Sequence, residues 1–336
     1  MPDRIVSRGR EPAGEKNPYF EKIDVPLLFI LRIEKYFMWL SLAFFSALML
    51  GFYDVAKKRA LSGNAVLPVL LVNTLLGATI FLPAILSSQF SLGWFDSTAF
   101  DIPRGTAHEH ALIALKAVIV LSSWTFGYFG LKNLPLTIVG PINATRPVLV
   151  LLGAMIIFGE RLSGMQWAGV LLALVSLFML GRSSRREGVD FVSNRSIWCV
   201  GAAAILGAVS GLYDKYVMLS LNPVFVQGWF NVYQAILMSA VVLILRRFSL
   251  AEKTPFHWSW AIPLITLFVT AADFAYFYAL SLDGAMISII SMIRRGSVLV
   301  SFAYGALVLR EHNLRGKAVD LIFILIGMLL LYIGSR

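Results

Sequence analysis

A chain of 336 residues with 58% hydrophobic and only 14% charged residues falls outside the ordinary soluble class, where about 25% of residues are charged. Its formal net charge of +10 would suggest nucleic acid in a soluble domain. Here the basic residues cluster in short stretches, such as Arg182, Arg185, Arg186 and Arg195, or Arg246, Arg247 and Lys253. That is the pattern of membrane topology and lipid head-group contact, and no nucleic-acid partner is expected.

Residues 1–35 are a polar N-terminal tail of mixed charge. The apolar patch Pro26–Leu31 is too short for a signal core and runs into Arg32, Glu34 and Lys35. Tyr19–Phe37 reads either as an amphipathic helix at the membrane interface or as a frayed tail. Ten apolar segments follow: Tyr36–Ala56, Ala65–Leu86, Ala111–Leu131, Leu136–Phe158, Met165–Leu180, Ile197–Leu219, Val224–Leu245, Trp258–Leu282, Ala285–Leu309 and Ala318–Ile333. Most approach the roughly 20 residues that a helix needs to cross the hydrocarbon. The fifth and tenth are shorter and span with help from flanking residues or a thinned bilayer. Lipid offers the backbone no water, so the segments are predicted to be helices. Mean hydropathy of +0.76 agrees. The expected fold class is an all-α polytopic membrane protein with the bilayer as its solvent.

The loop Ser87–His110 carries His108, Glu109 and His110, but histidines two apart do not share a helix face, so no metal site is expected. One cysteine, Cys199, excludes an internal disulfide. No glycine-rich phosphate loop and no nucleophile–base motif appears, which argues against an ATP-driven pump; no cofactor is expected.

The chain repeats itself. Gly51-Phe52-Tyr53-Asp54 in the first segment returns as Gly211-Leu212-Tyr213-Asp214 in the sixth. The fourth and ninth segments share a Val-Leu-Val core and end in Glu160-Arg161 and Glu311-His312. The layout is thus a first five-helix repeat over 36–181, a linker at 182–196 and a second repeat over 197–334. Five is odd, so the second half enters the membrane in the opposite sense. Inverted repeats mark secondary transporters, whose substrate site lies near the midplane at the repeat interface.

Two stretches carry a family resemblance: "FGERLSGMQWAGVLLALVSLFML" closing the first half and "LVLREHNLRGKAVDLIFILIGMLLLYIG" closing the second. With the five-plus-five layout they resemble the EamA-like branch of the drug/metabolite transporter superfamily, over about residues 38–334. Gly169 fits the glycine-containing final helix of that pattern, whereas Asp320 stands about where the second half would have its glycine. The resemblance implies a multi-pass protein of the bacterial plasma membrane, a small-molecule substrate, and a coupling proton or counter-transported solute. It leaves the orientation open: the family form has both termini inside, while the loop basic residues, Lys57, Lys58 and Lys317 among them, place both outside.

Arg146 lies near the middle of the fourth segment, and Arg294 and Arg295 near the middle of the ninth. A guanidinium at the bilayer centre costs roughly 2.5–3.5 kcal/mol and does not lose its charge cheaply. These three must face a carboxylate such as Asp54, a water-filled cavity or an anionic ligand. The basic residue in the fourth helix and adjacent pair in the ninth are similar to the phosphate-translocator branch of the superfamily, which implies an anionic group on the substrate. Asp54, Asp214 and Asp273 are expected either to pair with neighbouring cations or, Asp273 above all, to carry a coupling proton. Trp124, Tyr128, Asn143 and Tyr233 are candidate substrate contacts. Asn73, Asn231 and Gln234 are further polar groups for the lumen or for interhelical hydrogen bonds. Pro141 and Pro147 are expected to break the fourth segment beside Arg146. The function this predicts is alternating-access transport of a small anionic or zwitterionic metabolite. A lipid-modifying intramembrane enzyme and a non-transporting receptor or scaffold are the alternatives.

Overall fold

A backbone in hydrocarbon must close its hydrogen bonds within each segment, and helices do so. The computed structural model describes residues 25–158, 163–185, 192–218, 220–248, 254–282, 290, 293–310 and 314–334, and no strand occurs among them. The helices are α1 (Val25–Leu61), α2 (Val66–Gln89), α3 (Ala107–Asn133), α4 (Leu136–Ala144), α5 (Arg146–Phe158), α6 (Gly164–Arg185), α7 (Arg195–Met218), α8 (Pro223–Arg247), α9 (Ala261–Ser281), α10 (Ser297–Leu307) and α11 (Leu314–Gly334). Glu160, Arg161, Glu311, His312, the first 24 residues and most of the linker lie outside the described residues.

Among the described residues six helices are long and apolar enough to cross a membrane: α2, α3, α7, α8, α9 and the Met38–Leu61 part of α1. The fourth predicted segment is instead two helices. α4 stops at Ala144, and the Thr145 hydroxyl donates to the Ile142 carbonyl at 2.7 Å, holding a turn. α5 restarts at Arg146 with Pro147 in its first turn, where a missing N–H leaves no partner wanting. The second half breaks likewise. Arg294 and Arg295 sit in a helical turn closed by Gly296, whose N–H donates to Ile293 at 2.8 Å, and α10 restarts at Ser297. In both halves the arginines therefore stand at the break.

Sequence capping fixes other ends. Thr106 and Glu109 form a reciprocal capping box at the start of α3, so Glu109 is engaged as a cap. Asn222 caps α8 ahead of Pro223. Lys58, counted above among the loop charges, donates to the carbonyls of Leu131 and Leu134 that the end of α3 leaves unpaired.

The packing is unchanged when the halves are exchanged. α1 lies along α9, as α3 lies along α7; α5 contacts α7, as α10 contacts α1; α2 packs on α8, α6 on α11 and α4 on α10. The register can be read at single residues. Val148-Leu149-Val150 corresponds to Val298-Leu299-Val300. Gly211 meets Val150, and its counterpart Gly51 meets Val300 so closely that a Cβ there would stand 2.4 Å from the valine Cβ. The bundle is also inside-out relative to a soluble protein. Leu243, Leu267 and Ile322 are exposed, while Lys57, Lys116, Asp214, Arg294, Lys317 and Asp320 are buried. A bilayer as solvent rewards that arrangement. The expectation that Lys57 and Lys317 are loop charges is thereby corrected: both lie within helices and point into the protein.

Candidate functional site

The two helix breaks meet the inner faces of α1, α3, α7 and α9 around one cavity of about 180 Å³. Helical periodicity decides what each helix offers it. α1 presents Leu50, Tyr53, Asp54 and Lys57; α7 presents Gly207, Ser210, Gly211 and Asp214. α3 contributes Lys116, Trp124 and Tyr128, and α9 contributes Asp273, Tyr276 and Phe277. The breaks bring in Asn143, Arg146, Arg294 and Arg295. Arg146, Arg294, Arg295, Asn143, Trp124, Tyr128 and the three aspartates expected from the sequence thus line this one space, and Tyr233 does not.

Tyr233 does not reach it. Its hydroxyl lies 2.9 Å from His110 Nδ1, in a ring cluster with Trp229. α8 turns Phe230 toward the cavity, and three residues on it faces the start of α3. Asn73 and Asn231 are elsewhere as well. Asn73 accepts from Thr266 across α2 and α9 at 2.8 Å, and Asn231 donates to the Gln227 carbonyl on its own helix at 2.8 Å. Gln234 is fully buried outside the cavity lining.

Five basic and three acidic side chains line the cavity. Asp54 pairs with Lys57 at 2.9 Å within α1, Asp214 pairs with Lys116 across α7 and α3, and Asp273 pairs with Arg294 at 2.7 Å. The sequence-derived alternative of an Arg146–Asp54 pair is not what forms, because Lys57 one turn along α1 occupies that carboxylate. The paired cations also rest on rings: Lys57 stands 4.1 Å from the Tyr53 centroid, Lys116 stands 4.8 Å from Phe230, and Arg294 stands 3.8 Å from Tyr276.

Arg146 and Arg295 are left over, and neither has an acidic partner among the described residues. Arg146 makes one long hydrogen bond, 3.4 Å, to the Ala203 carbonyl. The Nε atoms of all three arginines and the Asn143 Oδ1 are buried without a partner. Buried polar groups normally find partners. Two positive charges in excess, with unmet donors, are thus gathered in one enclosed space, and guanidinium forks match carboxylate and phosphate oxygens. No group of three metal-ligating side chains occurs among the described residues.

Lys116 was missed by the sequence reading. Its signal was the same as that of the arginines, a permanent charge between Leu115 and Ala117 inside an apolar run. Tyr276 and Phe277 were not missed: the sequence sets them with Asp273 on ground comparable to Trp124 and Tyr128, and Phe126-Gly127-Tyr128-Phe129 recurs as Phe274-Ala275-Tyr276-Phe277. Both tyrosines sit beneath a cavity cation.

No curated protein sequence matches this chain. A solved crystal structure of a protein is similar in fold, with a TM-score of 0.61 at 15% identity over 88% of this chain and 98% of that one. The family model that matches is the EamA-like transporter family, over residues 37–182. That segment runs from within α1 through most of α6, with Asp54, Lys57, Lys116, Asn143 and Arg146 of the cavity. The chain is an integral membrane protein, and its residues 37–182 are similar to the EamA-like transporter family.

Proposed function

We propose that this chain is a secondary transporter of a small anionic metabolite, working by alternating access of two inverted five-helix halves about the central cavity. One observation carries the reading: Arg146 and Arg295 face the cavity with no carboxylate in ion-pair contact among the described residues. Each such charge costs roughly 2.5–3.5 kcal/mol at membrane depth, and an anion recovers that cost. A zwitterion brings no net charge, so the surplus favours an anion over it. The symmetric packing of the halves and the five predicted segments in each support the inverted arrangement.

Purified protein in liposomes, screened for uptake of phosphorylated, carboxylated, neutral and cationic metabolites, tests this. Uptake of one or more anions, with inhibition by other anions alone, is expected. Uptake confined to cations or neutral solutes would sink the reading.

Asp273 is proposed as the coupling carboxylate. It holds Arg294 at 2.7 Å, so protonating it releases a third guanidinium to the ligand. Asp273→Asn is expected to abolish accumulation driven by a pH gradient and to spare exchange at equal pH. Undiminished gradient-driven uptake in the Asn variant would remove Asp273 from that role.

A further inference from the structure

Arg146 lies on a piece of bare backbone. A Cβ added to Gly207 of α7 would stand 2.6 Å from the Arg146 Cζ, 2.8 Å from its Nη1 and 2.9 Å from its Nε. Non-bonded carbon atoms settle about 3.5–4.0 Å apart, so a side chain here is incompatible with the present position of the guanidinium. The two nitrogens are farther away than the carbon between them. That is the geometry of an approach onto the face of the guanidinium, not its edge. With its face on α7, the group keeps its N–H donors in a plane that reaches the cavity, and only one is spent, weakly, on Ala203.

The register supplies a second, independent observation. Aligning Val148-Leu149-Val150 with Val298-Leu299-Val300 pairs Arg146 with Gly296. Aligning Tyr53-Asp54 with Tyr213-Asp214 pairs Gly207 with Ala47. The contacts Gly51–Val300 and Gly211–Val150 show that both alignments hold in space. The arginine and the bare backbone therefore occur together on one side of the molecule and are both replaced on the other.

We infer that Gly207 is a positioning and specificity-determining residue: by lacking a side chain it seats the face of Arg146 against α7 and so sets the size of anion that the cavity admits. This rests on the anion-site reading above. The clash partner is the far end of a flexible side chain, so an added methyl group does not push the helices apart. It moves the guanidinium forward by about the shortfall in contact distance, roughly 1 Å, into a cavity of about 180 Å³. A bulky anion then loses room while a compact one keeps its bond.

The test labels the full-length purified protein with phenylglyoxal and follows Arg146 and Arg295 separately by peptide mass spectrometry. Inorganic phosphate and glycerol 3-phosphate serve as protecting anions. In Gly207→Ala, Arg146 is expected to label severalfold faster while Arg295 and the thermal midpoint stay unchanged. Protection by glycerol 3-phosphate should fall roughly 10–100-fold relative to protection by phosphate, the scale of a 1 Å misplacement. Ala47→Gly, the register counterpart, should change neither rate. In an Arg146→Lys background, which has no planar face to seat, adding Gly207→Ala should leave the protection of Arg295 unchanged. Equal labelling of Arg146 in wild type and Gly207→Ala overturns the inference, as does a parallel rise at Arg295, which would mean general loosening. If neither anion protects the wild type, the anion site and the specificity role both fall, and a faster Arg146 in Gly207→Ala would then attest only the seat.

Discussion

Replacing Arg146 or Arg295 by methionine is expected to abolish anion transport and to make the protein more stable. Transport falls because each guanidinium offers charge-assisted hydrogen bonds worth about 1.5–3 kcal/mol apiece. Losing one to two of them costs roughly 100-fold in affinity, since about 1.4 kcal/mol is tenfold. Stability rises because neither residue has an ion-pair partner among the described residues and each has a buried Nε with no acceptor there. A buried uncompensated charge is a liability, and an apolar side chain of similar length removes it. Lysine keeps the charge but loses the fork, so Arg→Lys should bind more weakly without the full loss. Uptake rates in liposomes and thermal midpoints in detergent give both readings from one preparation. Methionine variants that transport normally would refute the assignment, and variants that unfold would show the arginines to be structural.

The opposite behaviour is expected at Lys116. It is 2% exposed and bonded to Asp214, which is 7% exposed. Removing one partner of such a pair strands the other, a cost of about 3–5 kcal/mol. Lys116→Met should therefore sharply lower the thermal midpoint and the yield of folded protein. Lys116→Met with Asp214→Leu should recover most of the loss, because no stranded charge remains. Lys57 and Asp54 make the internal comparison. Their pair lies within one helix and the Asp54 side chain is 22% exposed, so Lys57→Met should cost less. A double variant no more stable than the single one would show that the pair contributes more than mutual neutralisation.

Which charges fall into which class was not legible in the chain. Arg146, Arg294 and Arg295 stood out because each interrupts an apolar run, and the cavity contains all three. The sequence did not say that Arg294 would be held by Asp273 while its neighbour Arg295 went without. Adjacent residues on a helix point about 100° apart, and only the packed neighbours decide what each one meets. Tyr233 shows the same limit. It looked like a lumen residue because it is polar in an apolar segment, yet three positions along α8 from Phe230 the helix faces His110 instead. Asn73 was satisfied by Thr266, a partner 193 residues away that no local pattern announces.

By itself the sequence determined that this protein is a bundle of helices in a membrane, because a chain with so few charges has no other way to meet solvent and so many apolar runs have no other way to meet lipid. It also determined that the halves share short words and that permanent charges interrupt the apolar segments, since both facts are written locally, in short recurring words and in single residues out of place. The tertiary structure alone decided the balance of charge. Whether a buried cation is spent on stability or kept for a ligand depends on which carboxylate arrives within about 4 Å of it; Lys57 meets Asp54 on its own helix, but for Lys116 and Arg294 that distance is set by packing between different helices. Three cations found such a partner here. Among the described residues Arg146 and Arg295 did not, and the glycine that seats Arg146 gained its meaning only when α7 came to lie beneath it.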